Sequence, residues 1–218
     1  QNPPTGAAAP PAAVVHAHDG AEGDPAETAP HEHGGEESAA SPAPATPATP
    51  GSPPAWNVTP AASSIRFSGT HAGVAFEGRF ASWRADIRFD PDNLEQSSAV
   101  VTINTASASD GVPLHDQTLP GADWFDAANH PSATFRTSSI RSRGGNAYEA
   151  RGTLTIKGRP IEVRLPFTLT LSGDRATMDG ALSIDRGDAN LGMASDPDAE
   201  FVSREIDVRV HVEAQRAP

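Results

Sequence analysis

Residues 161–171 read IEVRLPFTLTL, and an apolar side chain occupies every second position of this stretch. The apolar positions are Ile161, Val163, Leu165, Phe167, Leu169 and Leu171. Successive side chains of a β-strand point to opposite faces of the sheet, so this spacing places all six on one face and Glu162 and Arg164 on the other. The stretch therefore predicts a strand that is buried on one side and exposed to water on the other.

The same period of two recurs along the chain. It is found in SIRFSGT at 64–70, GVAFEGRF at 73–80, RADIRFD at 84–90 and REIDVRVHVEA at 204–214. Turn-forming sequences separate such stretches: DPDN at 90–93, RGGN at 143–146, KGRP at 157–160 and SGD at 172–174. About eight to ten strands without a βαβ rhythm predict an all-β antiparallel sandwich or barrel. A barrel of about eight strands encloses only side chains or one slim ligand.

Residues 1–55 differ in composition from the rest of the chain. They contain 12 of the 21 prolines, no Lys, Arg or aromatic residue, and only Val14 and Val15 as branched apolar residues. Such a segment buries too little apolar surface to offset the entropy of ordering it. We therefore predict a disordered Ala/Pro/Gly-rich acidic tail or linker over residues 1–55 and one domain over residues 56–218.

Charge and cysteine content exclude several classes of protein. The formal net charge is −12, and no stretch of the sequence forms a basic stripe, so a nucleic-acid partner is not expected. The chain has no Cys, which excludes disulfides, thiol catalysis and cysteine-ligated zinc.

The stretch DGVPLHDQTLPGADWFDAANHPSATF, at 110–135, lacks the strand period and combines acidic, aromatic and His residues. We expect a loop with a short helix near residues 121–128 that lies over the sheet. Asp123 and Asp126 are candidates for an acid–base pair, but Asp residues around a short helix more often act as caps. The chain has no G-x-S-x-G elbow, Walker sequence, H-E-x-x-H motif or Rossmann glycine pattern, so we predict no catalytic residue.

Three further groups of polar residues are candidates for binding. His71 has the same parity as Ile65 and Phe67, so it is predicted either as a core histidine or as a contact for a ligand head group near the barrel mouth. The tail motifs HAH at 16–18 and HEH at 31–33 lack a fixed scaffold, so solvated histidines are favoured and no metal site is predicted. The remaining group lacks the EF-hand spacing and is predicted as solvated turn residues: Asp185, Arg186, Asp188, Asp196 and Asp198.

Several blocks of residues follow one another in an order that resembles a known family. The first block is Trp56, Val58, Pro60, Ser64, Ile65 and Phe67, and the second is His71, Gly73, Gly78 and Phe80. The third is His115, Asp116, Leu119, Asp123, Trp124, Phe125, Asp126, Pro131, Thr134 and Phe135, and the last is Gly152, Leu154, Thr155, Ile156 and Gly158. Together they resemble the YceI family, the lipid- or polyisoprenoid-binding lipocalin-like barrels of bacteria, over about residues 56–214.

Three positions depart from the family pattern. His115 stands where the family has Arg, Thr118 where it has His, and Trp124 where it has Phe. If the replaced polar residues contact a ligand head group, that head group differs here. The form W-F-D-x-x-x-x-P at 124–131, with the closing VRVHVEAQR at 208–216, resembles the branch associated with cytochrome b561-type membrane proteins.

The resemblance implies a lipocalin-like antiparallel barrel of about eight strands with a short helix-and-loop lid. It implies non-catalytic binding or transport of an isoprenoid lipid, either a polyprenyl chain or a ubiquinone-like quinone, without a covalently bound cofactor, in the periplasm or outside the cell. The alternatives are an accessory redox partner that presents quinone to a membrane b-type cytochrome, a hydrolase that uses Asp123 or Asp126, and a structural barrel without ligand. A homodimer is compatible with any of them.

On this hypothesis the lipid chain lies along the inward faces of the strands. The residues expected to bury it are Phe67, Val74, Phe76, Phe80, Ile87, Phe89, Leu154, Ile156, Phe167 and Leu169. His71 is expected at the head group, and Trp124 and Phe125 are expected to pack over the bore as its lid.

Overall fold

The computed structural model describes residues 51–218. Residues 1–50, which include both histidine motifs and most of the predicted tail, lie outside the described residues. Residues 51–54 contact the barrel: Pro53 is buried, and the Asn93 side chain donates a hydrogen bond to the Gly51 carbonyl at 2.8 Å.

The described part of the chain contains β-strands with one short α-helix; most connections are short, but long segments join β6 to β7 and β10 to β11. The strands are β1 (Ala55–Val58), β2 (Ser64–His71), β3 (Val74–Phe80), β4 (Trp83–Arg88), β5 (Ser98–Asn104), β6 (Ala108–Ser109), β7 (Ser132–Gly144), β8 (Ala147–Ile156), β9 (Arg159–Ser172), β10 (Arg175–Asp185) and β11 (Glu205–Arg216). The helix is α1 (Pro113–Thr118).

The strands close into a barrel in which every neighbouring pair is antiparallel. The order around the wall is β1-β4-β5-β7-β8-β9-β10-β11, and β11 pairs back with β1 through Trp56 and Arg216. Residues Asp207–His211 of β11 pair with β2, β2 pairs with β3, and β3 pairs with β6. The ladder is thus continuous around the barrel, and a β-sandwich is excluded.

Three strands of the wall are each broken into two segments. A 3-10 turn at Pro60–Ala62 separates β1 from β2, residues 81–82 separate β3 from β4, and a second 3-10 turn at Thr105–Ser107 separates β5 from β6. Pro60 has no N–H to donate to a ladder, which favours a break at that point. Because β2, β3 and β6 pair in the same order as β1, β4 and β5, the segments occupy eight positions, and the prediction of an all-β antiparallel barrel of about eight strands is confirmed.

Apolar side chains fill the inside of the barrel in two groups. In β9, Val163, Leu165 and Phe167 are buried while the residues between them are exposed, as the alternation predicts. A first core cluster surrounds Phe67, Ile103, Phe125, Ile156 and Leu191. A second core cluster surrounds Trp56, Phe89, Ile140, Leu165 and Phe167.

The helix is found at Pro113–Thr118, so the prediction of a helix near residues 121–128 was wrong. Pro113 occupies the first turn, where a missing N–H costs nothing. Residues 121–128 form consecutive turns instead, and Asp126 has a φ of 48°, a left-handed conformation that ends any right-handed helix. Within residues 51–218, no helix is long and apolar enough to cross a bilayer.

Gly152 provides a test of the strand packing. It lies on β8 opposite Thr137, next to the register shift between Thr137 and Ser139, and a Cβ there would come within 2.3 Å of the Arg136 carbonyl oxygen. We expect Gly152→Ala to lower the free energy of unfolding by about 2 kcal/mol, because the backbone must move. The measurement is urea unfolding, with Thr168→Ala on the exposed face of β9 as a control that changes stability by less than about 0.5 kcal/mol. Equal stabilities for the two variants would contradict the close approach.

Candidate functional site

A cavity of about 160 Å³ lies inside the barrel, lined mainly by the second core cluster and also by Ile65, Ile103 and Val163 of the first. None of the residues that line it is charged, and the hydroxyl-bearing ones are Ser98 and Thr137. The Thr137 hydroxyl already bonds to the backbone of Ala99, accepting from its N–H at 2.9 Å and donating to its carbonyl at 3.3 Å. The cavity therefore offers a ligand almost only apolar contact.

Five of the predicted site residues line this cavity: Ile87, Phe89, Leu154, Phe167 and Leu169. They come from β4, β8 and β9 and from the loop after β4, so the fold brings together residues distant in sequence. Other lining residues, such as Val163, Leu165, Val210 and Val212, share the same alternation and were not named as site residues. Trp83, Ile140 and Met178 also line it and were missed, although Trp83 and Met178 lie on strands with the same period.

Six other predicted residues do not line the cavity but fill the barrel beside it: Phe67, Phe76, Phe80, Trp124, Phe125 and Ile156. The ring centroid of Phe80 lies 5.2 Å from that of Phe67 and 5.6 Å from that of Phe125. Gly78 leaves room for the Phe67 ring, since a Cβ there would meet that ring at 2.3 Å. One half of the bore is thus occupied by the chain's own aromatic side chains.

The predicted inward positions of His71 and Val74 were wrong. Val74 is 71% exposed and His71 is also exposed, with its ring centroid 5.1 Å from that of His115. The register explains this, because β11 pairs with β2 only as far as Ser68. Beyond that point β2 meets residues 201–203 instead, where the Ser203 N–H donates to the Thr70 carbonyl at 2.9 Å and His71 bridges Val202. Strand parity therefore no longer directs a side chain into the bore.

The end plug consists of residues 119–130 together with residues 186–203, and it closes the barrel beside the first core cluster. Phe125 is buried in that cluster and Trp124 packs against it, as expected for a lid. The Trp124 ring fits against Gly192, where a Cβ would lie 2.7 Å from the ring. The Gly192 N–H donates to the Asp123 carbonyl at 2.8 Å, which joins the two segments of the plug.

Arg186 holds the second segment of the end plug together, and the prediction that it and Asp196 are solvated was wrong. Arg186 is 1% exposed and its Nη2 lies 2.7 Å from the Asp196 carboxylate. Its guanidinium also donates to the carbonyls of Leu191, Asp196, Val202 and Ser203, and it lies 5.9 Å from the centre of the Trp124 ring. Nothing in the sequence distinguishes this arginine from those on the strands.

Asp196 accepts hydrogen bonds from the backbone in addition to the Arg186 ion pair. The Val202 and Glu200 N–H groups donate to it at 2.9 Å and 2.8 Å. The Val202 bond, aided by the Phe201 and Glu200 amides and the charge on Arg186 and opposed by burial, holds the pKa of Asp196 below its ordinary value of 3.8.

Asp123 braces the plug by joining its two segments. Its oxygens accept from the Ala194 and Ser195 N–H groups and from the Ser195 hydroxyl, at 2.6–3.0 Å. Burial alone raises the pKa of Asp123, but these bonds and the charge on Lys157 hold it below its ordinary value of 3.8. Lys157, from the β8–β9 turn, donates to the carbonyls of Asp123 and Asn190 at 3.0 Å each.

A His–Asp pair lies beside α1. His115 Nδ1 lies 2.7 Å from Asp110, and Asp116 accepts from the Ser109 hydroxyl at 2.9 Å. Burial raises the pKa of Asp110, but the bond with His115 and the Val112 amide together hold it below 3.8. Within residues 51–218, no group of three or more His, Asp or Glu side chains is placed to hold a metal ion.

The cavity reaches the surface at the end opposite the plug. We call this end the mouth; the lining residues Trp56, Phe89 and Leu171 lie there, and Tyr148 packs beside Phe89. Leu171 lines the cavity and is 37% exposed. The Tyr148 ring lies between the rings of Phe89 and Phe167, with centroids 5.4 Å and 5.5 Å away. The bore is therefore an apolar pocket closed at one end.

Comparisons with known proteins agree with this architecture. A family model described as a YceI-like domain matches residues 56–214. The crystal structure of BcnA from Burkholderia cenocepacia is 36% identical, with a TM-score of 0.70, and the match covers 73% of this chain and 100% of that one. A UPF0312 protein of Vibrio cholerae is 28% identical over 157 residues, which is 69% of this chain and 80% of that protein.

One further solved structure is that of a polyisoprenoid binding domain from Saccharophagus degradans implicated in plant cell wall breakdown. It is 18% identical, with a TM-score of 0.58, and the match covers 75% of this chain and 99% of that one. At this identity the likeness shows the fold alone.

Removing the buried cation tests the end plug. We expect Arg186→Met to lower the melting temperature by about 10 °C, because it leaves the Asp196 carboxylate and several carbonyls without a partner. Trp fluorescence should shift to longer wavelength, because Trp124 loses the Arg186 guanidinium that packs against its ring and becomes more exposed to water. The control is Arg204→Met, which removes an exposed ion pair with Asp185 and should change the melting temperature by no more than about 3 °C. A similar small change for both variants would contradict the bracing role.

The lowered carboxylate pKa values predict a pH dependence. The unfolded chain protonates Asp123 near its ordinary value of 3.8 and the folded chain protonates it at lower pH, so the unfolded state binds more protons in that window. The stabilisation is therefore complete above pH 3.8 and is lost as the pH falls through the folded-state pKa. Urea midpoints are measured as the pH is lowered from about 5 to about 2.5. They should fall less steeply for Asp123→Asn than for wild type. The exposed Asp198→Asn should keep the wild-type slope; identical slopes for all three proteins would contradict the assignment.

Proposed function

Because the chain belongs to the family of YceI-like domains, we propose that it binds the chain of an isoprenoid lipid without covalent attachment and catalyses no reaction. The observation that carries this proposal is the uncharged cavity, closed at one end by the plug and reaching the surface at the mouth. An apolar chain that enters through the mouth gains burial at every carbon and leaves no polar group unpaired. The polyisoprenoid binding domain with the same fold supports the choice of lipid class.

The size of the cavity limits how the chain is held. An apolar cavity of about 150 Å³ accommodates a molecule such as benzene, and the cavity here measures about 160 Å³. It therefore accepts about one five-carbon unit, whose burial contributes about 4 kcal/mol. Association costs at least about 4 kcal/mol, so one unit does not give useful affinity. Binding then requires a chain of about three units, for which Met178 and the leucines at the mouth move aside.

Other residues of the site support binding in preference to catalysis. The Asp123 carboxylate is fully engaged by the Ala194 and Ser195 groups. Asp126 accepts from the Asn129 amide at 3.0 Å and 3.1 Å and lies on the plug, away from the residues that line the cavity. A hydrolytic mechanism at either residue would need a substrate that reaches the closed end of the barrel.

Several finer predictions accompany this proposal. The ligand is a polyprenyl chain or a ubiquinone-like quinone, the protein acts in the periplasm or outside the cell, and a membrane b-type cytochrome or a second copy of the chain is a partner. These stay predictions drawn from the resemblance. The presence of a cavity argues against the alternative of a barrel filled entirely by its own side chains.

The direct test is mass spectrometry of lipids extracted from purified protein, followed by loading with isoprenoid alcohols of increasing length. We expect an isoprenoid lipid in the extract and an affinity that rises by about 4 kcal/mol or less per added unit until the bore is full. Protein that carries no lipid and takes up no member of the series would overturn the proposal.

A cavity-filling variant tests which surface holds the chain. Ala176 lines the cavity on β10, and Thr177 is its neighbour on the outer face. We expect Ala176→Trp to weaken uptake by at least about tenfold, because the indole occupies space equal to most of the cavity. Thr177→Trp adds the same group outside the barrel and should leave uptake unchanged. Equal uptake by the two variants would place the ligand elsewhere.

A further inference from the structure

Arg216 lies at the mouth of the bore. In β11, Ile206, Val212 and Ala214 are buried and their neighbours face outward, so Arg216 has the inward parity. It is paired in register with Trp56 of β1, which lines the cavity. Among the inward-facing positions of β11, Arg216 is the charged one, and it is the last of them, at the end of the strand.

The Arg216 guanidinium is held in place by Trp56. Its central carbon lies 5.4 Å from the centre of the Trp56 ring, which is the geometry of a cation–π contact. The Trp56 ring is itself fixed, since the residue is 4% exposed and its Nε1 donates to the Phe89 carbonyl at 2.9 Å. The cation is therefore held beside a ring that lines the cavity, although Arg216 itself does not line it, and these contacts leave its N–H groups free to donate.

Arg216 has only a weak acidic neighbour. Within residues 51–218, the carboxylate found within 4.0 Å of its guanidinium is that of Asp174, and this side chain is 85% exposed. At the limit of ion-pair distance and in contact with water, such a pair contributes little and is readily exchanged for another anion. No charged residue lines the cavity itself, so nothing deeper in the bore competes for a charged group.

We propose that Arg216 binds an anionic head group, a phosphate or a carboxylate, on the isoprenoid chain whose tail lies in the bore. This inference rests on the proposed function and names the class of ligand. A planar guanidinium donates two parallel hydrogen bonds to such an oxyanion, and the adjacent Trp56 face reduces its contact with water. A neutral hydroxyl or quinone carbonyl receives at most one weaker bond, so the site selects for charge.

The test compares three ligands that share one chain: geranylgeranyl phosphate, geranylgeranoic acid and geranylgeraniol. Affinities for wild-type protein are measured by displacement of a fluorescent apolar probe. We expect at least one of the two anions to bind about tenfold more tightly than the alcohol, as a charge-assisted hydrogen bond predicts. The tighter of the two anions identifies phosphate or carboxylate as the head group.

Variants assign the preference to Arg216. Arg216→Gln should weaken anion binding by about tenfold and leave alcohol binding within about twofold, which also shows that the variant is folded. Arg216→Lys should keep part of the preference. Arg175→Gln removes a cation at the same end of the barrel, but on the outer face of β10, and should bind all three ligands as wild type does.

The outcomes separate this inference from the proposed function. If all three ligands bind with equal affinity, or if the preference for anions survives in Arg216→Gln, the assignment of Arg216 is wrong while the lipid-binding bore stands. If none of the three binds to wild-type protein, both proposals fail together.

Discussion

The buried guanidinium of Arg186 determines the shape of the interior. It donates to carbonyls spread from Leu191 to Ser203, pairs with Asp196 and lies beside Trp124. A cation removed from water is tolerated only when its donors are paired, so the loop must wrap around it in one conformation. That conformation gives Gly192 and Asp123 their contacts and fixes the end plug. A bore with one mouth is the result.

Closure of one end also explains how the interior is divided. The aromatic rings of Phe67, Phe80 and Phe125 pack against one another beneath the plug. The unfilled volume lies towards the mouth, where aliphatic residues such as Leu169 and Val212 line it together with Phe89 and Phe167. The same alternation of side chains therefore produces an aromatic-rich core beneath the plug and a cavity towards the mouth.

The period of two in the sequence was sufficient to predict an all-β antiparallel sandwich or barrel, because strand parity is local and depends on neighbouring residues alone. The family resemblance implied the barrel. The period predicted cavity-lining residues such as Phe167 and Leu169 and failed at Val74 and His71. Parity carries no information about where β2 stops pairing with β11 and meets residues 201–203 instead, because that change of partner is set by the tertiary structure. The buried position of Arg186 was not predictable for a related reason: its acceptors are backbone carbonyls, and any sequence supplies those. The breaks within three strands were not predicted, because the segments on both sides of each break keep the period of two.

The closing contact of the barrel joins the two ends of the domain. The Ala217 N–H donates to the Ala55 carbonyl at 2.8 Å, so these residues are separated by one hydrogen bond although almost the whole domain lies between them in sequence. When β1 and β2, β3 and β4, and β5 and β6 are each counted as one broken strand, every other join in the wall is between strands that are consecutive in sequence. A short peptide can therefore connect the ends, and new termini can be cut at an exposed turn such as Gly144–Gly145, without changing the order of strands. The strand order of the barrel is therefore circular, and the same set of strand pairs can form whichever turn carries the termini of the domain.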